Sequence, residues 1–110
     1  MDMSYIPDGM ELLKNFESEM PELSKAFGKL TEAVLSGPSL DCKTKQLIYT
    51  AVTSALRNFS GVQYHSNEAI KAGATKEQVI EAITITMPCG GIETCILALT
   101  AFLKTQKSNP

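Results

Sequence analysis

The run AITITMPCGGIETCILALTAFL, Ala82 to Leu103, constrains the chain more than any other stretch: it is apolar enough to demand burial, and Glu93 is its single charge. A helix that crosses a bilayer needs about 20 mostly apolar residues in succession. Here Pro88, Gly90 and Gly91 interrupt the run at its centre, four threonines dilute it, and Glu93 would be costly in lipid. Two buried helices joined by a tight turn satisfy the pattern, and no membrane is expected as a partner. The segment Ile83–Met87 alternates like a strand, but it continues a helical period and no other segment offers it a strand to pair with. It is therefore read as helix.

The rest of the chain supports the same all-α reading. Asp8 followed by Glu11 has the capping-box pattern and opens a short helix over about 9 to 17. Pro21 suits the first position of a second helix, which carries Leu23, Phe27, Leu30 and Val34 at helical spacing and stops near Leu35, before Ser36-Gly37-Pro38-Ser39. Asp41 can cap a third helix, where Leu47/Ile48, Ala51/Val52 and Ala55/Leu56 form an apolar stripe. No charge occurs from Gln46 to Leu56, so both faces of this helix are expected to be covered by protein.

A fourth helix spans about Ser60 to Ala72 and ends at Gly73. Thr75 with Gln78 forms a second capping box, opening a fifth helix through Val79, Ile80, Ile83 and Met87. A sixth follows Gly90-Gly91 and runs to about Lys104, leaving 105–110 as a polar tail. The expectation is one domain over 1–110, a compact bundle of about six helices. Its last three helices carry so little charge that a lone subunit would expose apolar surface, so self-association is expected.

At 110 residues the chain can support a real core. Its 10 basic residues nearly balance 12 acidic ones, which gives nucleic acid no strong field to bind. The acidic start, MDMSYIPDGMELL, lacks the basic and then apolar pattern of a signal peptide, and a cytoplasmic location is expected. Cys42, Cys89 and Cys95 are an odd number at wide spacing beside one histidine, which suits neither a disulfide framework nor a zinc site. Reduced thiols, no metal and no cofactor are expected.

That one histidine, His65, shares a helical face with Val62, Ala69 and Ala72 and so points toward the interior or a cleft. Two readings are open: a packed histidine hydrogen-bonded to a neighbour, or a group that moves protons. Leu40 to Leu99 resembles the carboxymuconolactone decarboxylase and alkylhydroperoxidase-like family. The resemblance lies in LDCKTKQLIYTAVTSA, the histidine, AIKAGATKEQVIEAI, and a Gly-Gly turn opening the last helix. It implies a compact helical protein assembled as a trimer or hexamer, with 40–104 as the family core behind N-terminal helices in 1–39.

The peroxidase branch of that family carries a Glu, then Cys-x-x-Cys twelve residues later, then a His four residues further on. Those positions are Gln46, Asn58, Gly61 and His65 here, so only the histidine remains. Neither Asn58 nor Gly61 can form a thiolate, and a peroxidase dependent on that cysteine pair is not expected. The lactone decarboxylases resemble one another in an acidic residue four positions before the histidine, a place held here by Gly61.

What remains is a candidate polar pocket. His65 would be the general acid or base with Gln46 beside it, and Asn58 and Thr53 would contact a small ligand. Arg57, the one arginine, follows Gln46, Thr50 and Thr53 along one side of the third helix and could grip a carboxylate, or simply favour the helix C-terminus. By resemblance the ligand class is a small organic acid or lactone. The alternatives are a non-catalytic oligomer that binds a small molecule, and thiol or peroxide chemistry at Cys89, which sits in Pro-Cys-Gly-Gly before a helix start.

Overall fold

The computed structural model describes residues 9–108, and every element among them is helical. In chain order these are α1 (Gly9–Glu19), α2 (Pro21–Leu35), α3 (Cys42–Ala55), α4 (Phe59–Lys71), α5 (Lys76–Thr84), α6 (Met87–Gly90) and α7 (Ile92–Ser108). The expected Asp8 cap lies outside the described residues. No helix among them is long and apolar enough to cross a membrane.

The local signals act as their chemistry dictates. Asp41 accepts the amide of Thr44 at 2.7 Å and starts α3. Thr75 and Gln78 satisfy each other's backbone amides in a reciprocal box at the head of α5. Gly73, at φ +104, takes the left-handed turn after α4.

Two boundaries differ from expectation. The fifth helix stops at Thr84 instead of reaching Met87, because Pro88 has no N–H for the Thr84 carbonyl and its ring would press on that carbonyl. The chain turns through Ile85 and Thr86, whose hydroxyl donates to the Ile83 carbonyl at 2.6 Å, and resumes as the single turn α6. Gly91, at φ +89, ends that turn. The last helix continues to Ser108, because Thr105–Ser108 hold no Gly or Pro and Thr105 hydroxyl bonds back to Phe102 O at 2.7 Å.

Helices α3 and α4 form an antiparallel hairpin that makes the largest helix–helix contact, with α7 packed on α4 and α5 on α3. Between them lies the core: Val62, Ala69, Val79, Ile83, Cys95, Ala98, Ala101 and Phe102. Helix α3 turns its polar face inward and splits its apolar stripe, with Leu47 packed against the core. Gln46, Thr50, Thr53 and Ser54 are buried, whereas Ile48, Val52 and Leu56 are exposed, Leu56 by 72%.

Burying that polar face is affordable only because its hydroxyls are satisfied within the helix. Thr50 donates to Gln46 O at 2.8 Å, Thr53 to Tyr49 O at 2.7 Å and Ser54 to Thr50 O at 2.7 Å. Such small side chains let the α4 backbone come close. The expectation that both faces of α3 are covered is therefore met on one side only within a single chain.

The α1–α2 hairpin sits outside this body. Its two helices meet through Phe16 and Phe27, edge to face with centroids 6.2 Å apart. Gly9 packs on α4, where a Cβ would lie 2.9 Å from Tyr64 Cβ and 3.0 Å from Ser60 O. No residue of α2 is buried, and Leu23, Phe27, Leu30 and Val34 are each more than half exposed.

Candidate functional site

His65 lies midway along α4, opposite Gln46 on α3. Its Nδ1 and the Gln46 Oε1 are 2.9 Å apart. A carbonyl oxygen only accepts, so Nδ1 carries the proton and donates, and Nε2 keeps its lone pair. Among the described residues Nε2 has no protein partner, and none of those residues holds a buried, unpaired polar side-chain atom. Nε2 is thus open.

His65 itself lines a cavity of about 340 Å³. On the body side the walls are Gln46, Tyr49, Tyr64 and His65; on the outer side they are Phe27, Leu30, Thr31, Val34 and Leu35, all from α2. None of these side chains carries a formal charge at neutral pH. The imidazole is held between two phenol rings, with Tyr49 at 4.6 Å and tilted by 37°, and Tyr64 at 5.1 Å and nearly perpendicular.

Burial holds the His65 ring below the ordinary histidine range, and the Glu68 carboxylate acts in the opposite sense. The ring is neutral at pH 7, as a base must be. Burial also raises the Tyr64 phenol, with the Glu68 charge adding to it, so Tyr64 stays protonated.

The structure brings His65 and Gln46 together. It gives the other sequence candidates separate work. Asn58 is the cap of α4: its Oδ1 accepts the Gly61 amide at 3.0 Å and the Ser60 hydroxyl at 3.3 Å. Thr53 hydroxyl is spent on the carbonyls of Tyr49 and Thr50. Arg57 occupies the turn between α3 and α4 at φ +59. From there its Nη1 donates to Thr94 Oγ1 on α7 at 2.8 Å, and its guanidinium lies 5.7 Å from the Phe59 ring centroid. None of these three lines the cavity.

Gly61 explains why the acidic position of the decarboxylase pattern is vacant. A Cβ there would lie 2.7 Å from Asn58 Nδ2 and 2.9 Å from Thr53 Cγ2, so a larger residue displaces the cap. Cys89 is exposed on α6, which packs against α3 and α7, and it does not line the His65 cavity. Cys42 is exposed at the start of α3, and Cys95 is buried with its thiol 3.6 Å from Ile83 O.

Sequence reasoning missed Tyr49, Tyr64 and the α2 wall. Tyr49 is three residues beyond Gln46 and Tyr64 directly precedes His65, so proximity along each helix was a signal for both. For α2 there was none, because its stripe has the same spacing whether it faces a core or a cavity.

Comparison with known proteins now bears on this geometry. The profile of the carboxymuconolactone decarboxylase family matches residues 21–104. The chain belongs to that family. The match takes in α2, so the family region begins earlier than residue 40. A crystal structure of an apo carboxymuconolactone decarboxylase family protein from Legionella pneumophila superposes with a TM-score of 0.73 at 32% identity, covering 87% of this chain and 88% of that one.

Among curated relatives, an uncharacterized protein of Methanocaldococcus jannaschii is 27% identical over 94 residues, 86% of this chain and 88% of its own. A protein in the cox locus of Paracoccus denitrificans is 36% identical over 63 residues, 57% of each chain.

Proposed function

We propose that this family member binds a small lactone or its ring-opened acid in the His65 cavity, and that His65 moves a proton at the carbon next to the ligand's carbonyl. The observation that carries the reading is the 2.9 Å bond from Nδ1 to Gln46, which leaves Nε2 free on a neutral imidazole that lines an open cavity. Nε2 would take the proton from the C–H bond, whose electron pair passes to the carbonyl as an enolate, and would return it to a second carbon of the ligand as the double bond shifts. The Gln46 carbonyl dipole would steady the imidazolium formed in between.

The uncharged lining supports a neutral lactone more than a polycarboxylate, because a second anionic group would be desolvated there without a cation to meet it. Self-association belongs to the same reading. Leu23 and Leu30 on α2, Leu56 on α3 and Ile92 and Ile96 on α7 are all exposed, the kind of surface another copy covers.

The test is titration of the protein with small-ring lactones and their hydroxy acids, following the ring signals of His65, Tyr49 and Tyr64 by NMR. The reading predicts saturable shifts at all three with a lactone, and turnover of the bound compound that disappears in His65→Gln. Saturable binding with no turnover would leave a binding protein in place of an enzyme. Signals unmoved by every compound would remove the cavity from the function altogether.

A further inference from the structure

The cavity has a feature that packing alone does not explain. Its outer wall is a helix with no buried residue, yet that helix supplies five of the nine lining side chains. A stripe so exposed provides little to hold it at a fixed distance from His65. The position of α2 must therefore be set at a few points, of which α1 is one, through Phe16 and Phe27.

Another point is Lys45. Its Nζ donates to Leu35 O at 2.6 Å and also to Gly37 O. These are carbonyls at and just past the last turn of α2, where the helix leaves acceptors unpaired and where its dipole favours a cation. Leu35 is itself a cavity wall residue, and Lys45 directly precedes Gln46 on α3. One turn of α3 thus holds both the end of the outer wall and the partner of His65.

We infer that Lys45 is a positioning residue for the His65 cavity: by gripping the carbonyls of Leu35 and Gly37 it sets the distance between the α2 wall and the Gln46–His65 pair. The inference rests on that cavity being the working site, but its test requires neither ligand nor turnover. With Lys45 in place, the wall shields the imidazole from water; without it, α2 swings on its α1 contact and water reaches the ring.

The experiment compares wild type with Lys45→Met, which keeps the stem and deletes the donors, and Lys45→Arg, which restores a cation. Lys45→Gln serves as a second neutral variant should the methionine form fail to fold. Amide hydrogen exchange and the NMR titration of His65 are read on each.

Expected for Lys45→Met is exchange at 21–35 faster by tenfold or more, unchanged exchange at 62–69, and a His65 midpoint moved up toward that of a solvated histidine. Lys45→Arg should recover both. Faster exchange in α2 with an unmoved His65 midpoint would make Lys45 an ordinary helix cap and overturn the inference, as would no change in either. Failure of the lactone reading would leave all of these outcomes readable.

Discussion

The two hairpins that face each other across the cavity are held by opposite means. In α3–α4 the inner surface is largely hydroxyl and amide, satisfied by neighbouring carbonyls, and it is buried to completion at Thr50, Ser54 and Ser66. In α1–α2 the surface is apolar and open, and α2 is held at its middle through Phe27 and at its C-terminal end through Lys45. The contrast teaches that an apolar stripe marks a face that must be covered by something, whereas close helix contact within one chain can be built on small polar groups. The precise half of the site, His65 with Gln46, lies on the tight hairpin. The other half lies on the exposed one.

The strongest way to break that comparison is to truncate one aromatic in the core behind the tight hairpin, Phe102 of α7, and one on the open hairpin, Phe27 of α2. Phe102→Ala empties fully buried space in the core and should cost about 3–5 kcal/mol in denaturant unfolding. Phe27→Ala removes a ring that is 51% exposed, and should cost under about 1 kcal/mol at dilutions where the chain is a single subunit. Its larger effect should be on assembly, read by sedimentation across a concentration series. Equal costs for the two would mean that α2 is part of the core after all.

A finer comparison uses one glycine from each hairpin. At Gly61 an added Cβ meets Asn58 and Thr53 below 3.0 Å, so Gly61→Ala should destabilise by about 1–3 kcal/mol. At Gly28, within α2, a Cβ meets nothing within 4 Å, so Gly28→Ala should stabilise by about 0.5–1 kcal/mol through helix propensity alone. Thermal unfolding of the two variants should therefore move in opposite directions. A destabilising Gly28→Ala would reveal a contact on α2 that the single chain does not show.

Much of this architecture was legible in the residues. Asp41, the Thr75–Gln78 pair and Gly73 act locally, through bonds to backbone a few positions away, and such signals survive whatever the tertiary structure does. The Gln46–His65 pairing was legible through the family spacing, because two helices of a hairpin hold that register. The orientation of α3 was not, since its apolar and polar faces are both uncharged and the expectation was that protein covers both. Nor were the duties of Asn58 and Arg57, which depend on the turn at φ +59 that places one as a cap and aims the other at Thr94. Pro88 was visible as a breaker, but its effect falls four residues upstream, at the Thr84 carbonyl.

The proposed role of the cavity depends on the state of one ring, and nitrogen-15 NMR of the His65 imidazole near neutral pH tests it most directly. The prediction is a neutral ring protonated at Nδ1 and bare at Nε2, with a midpoint below that of a free histidine and the tautomer preference weakened in Gln46→Leu. A ring protonated at Nε2, or one that titrates as a free histidine and is indifferent to Gln46, would contradict it.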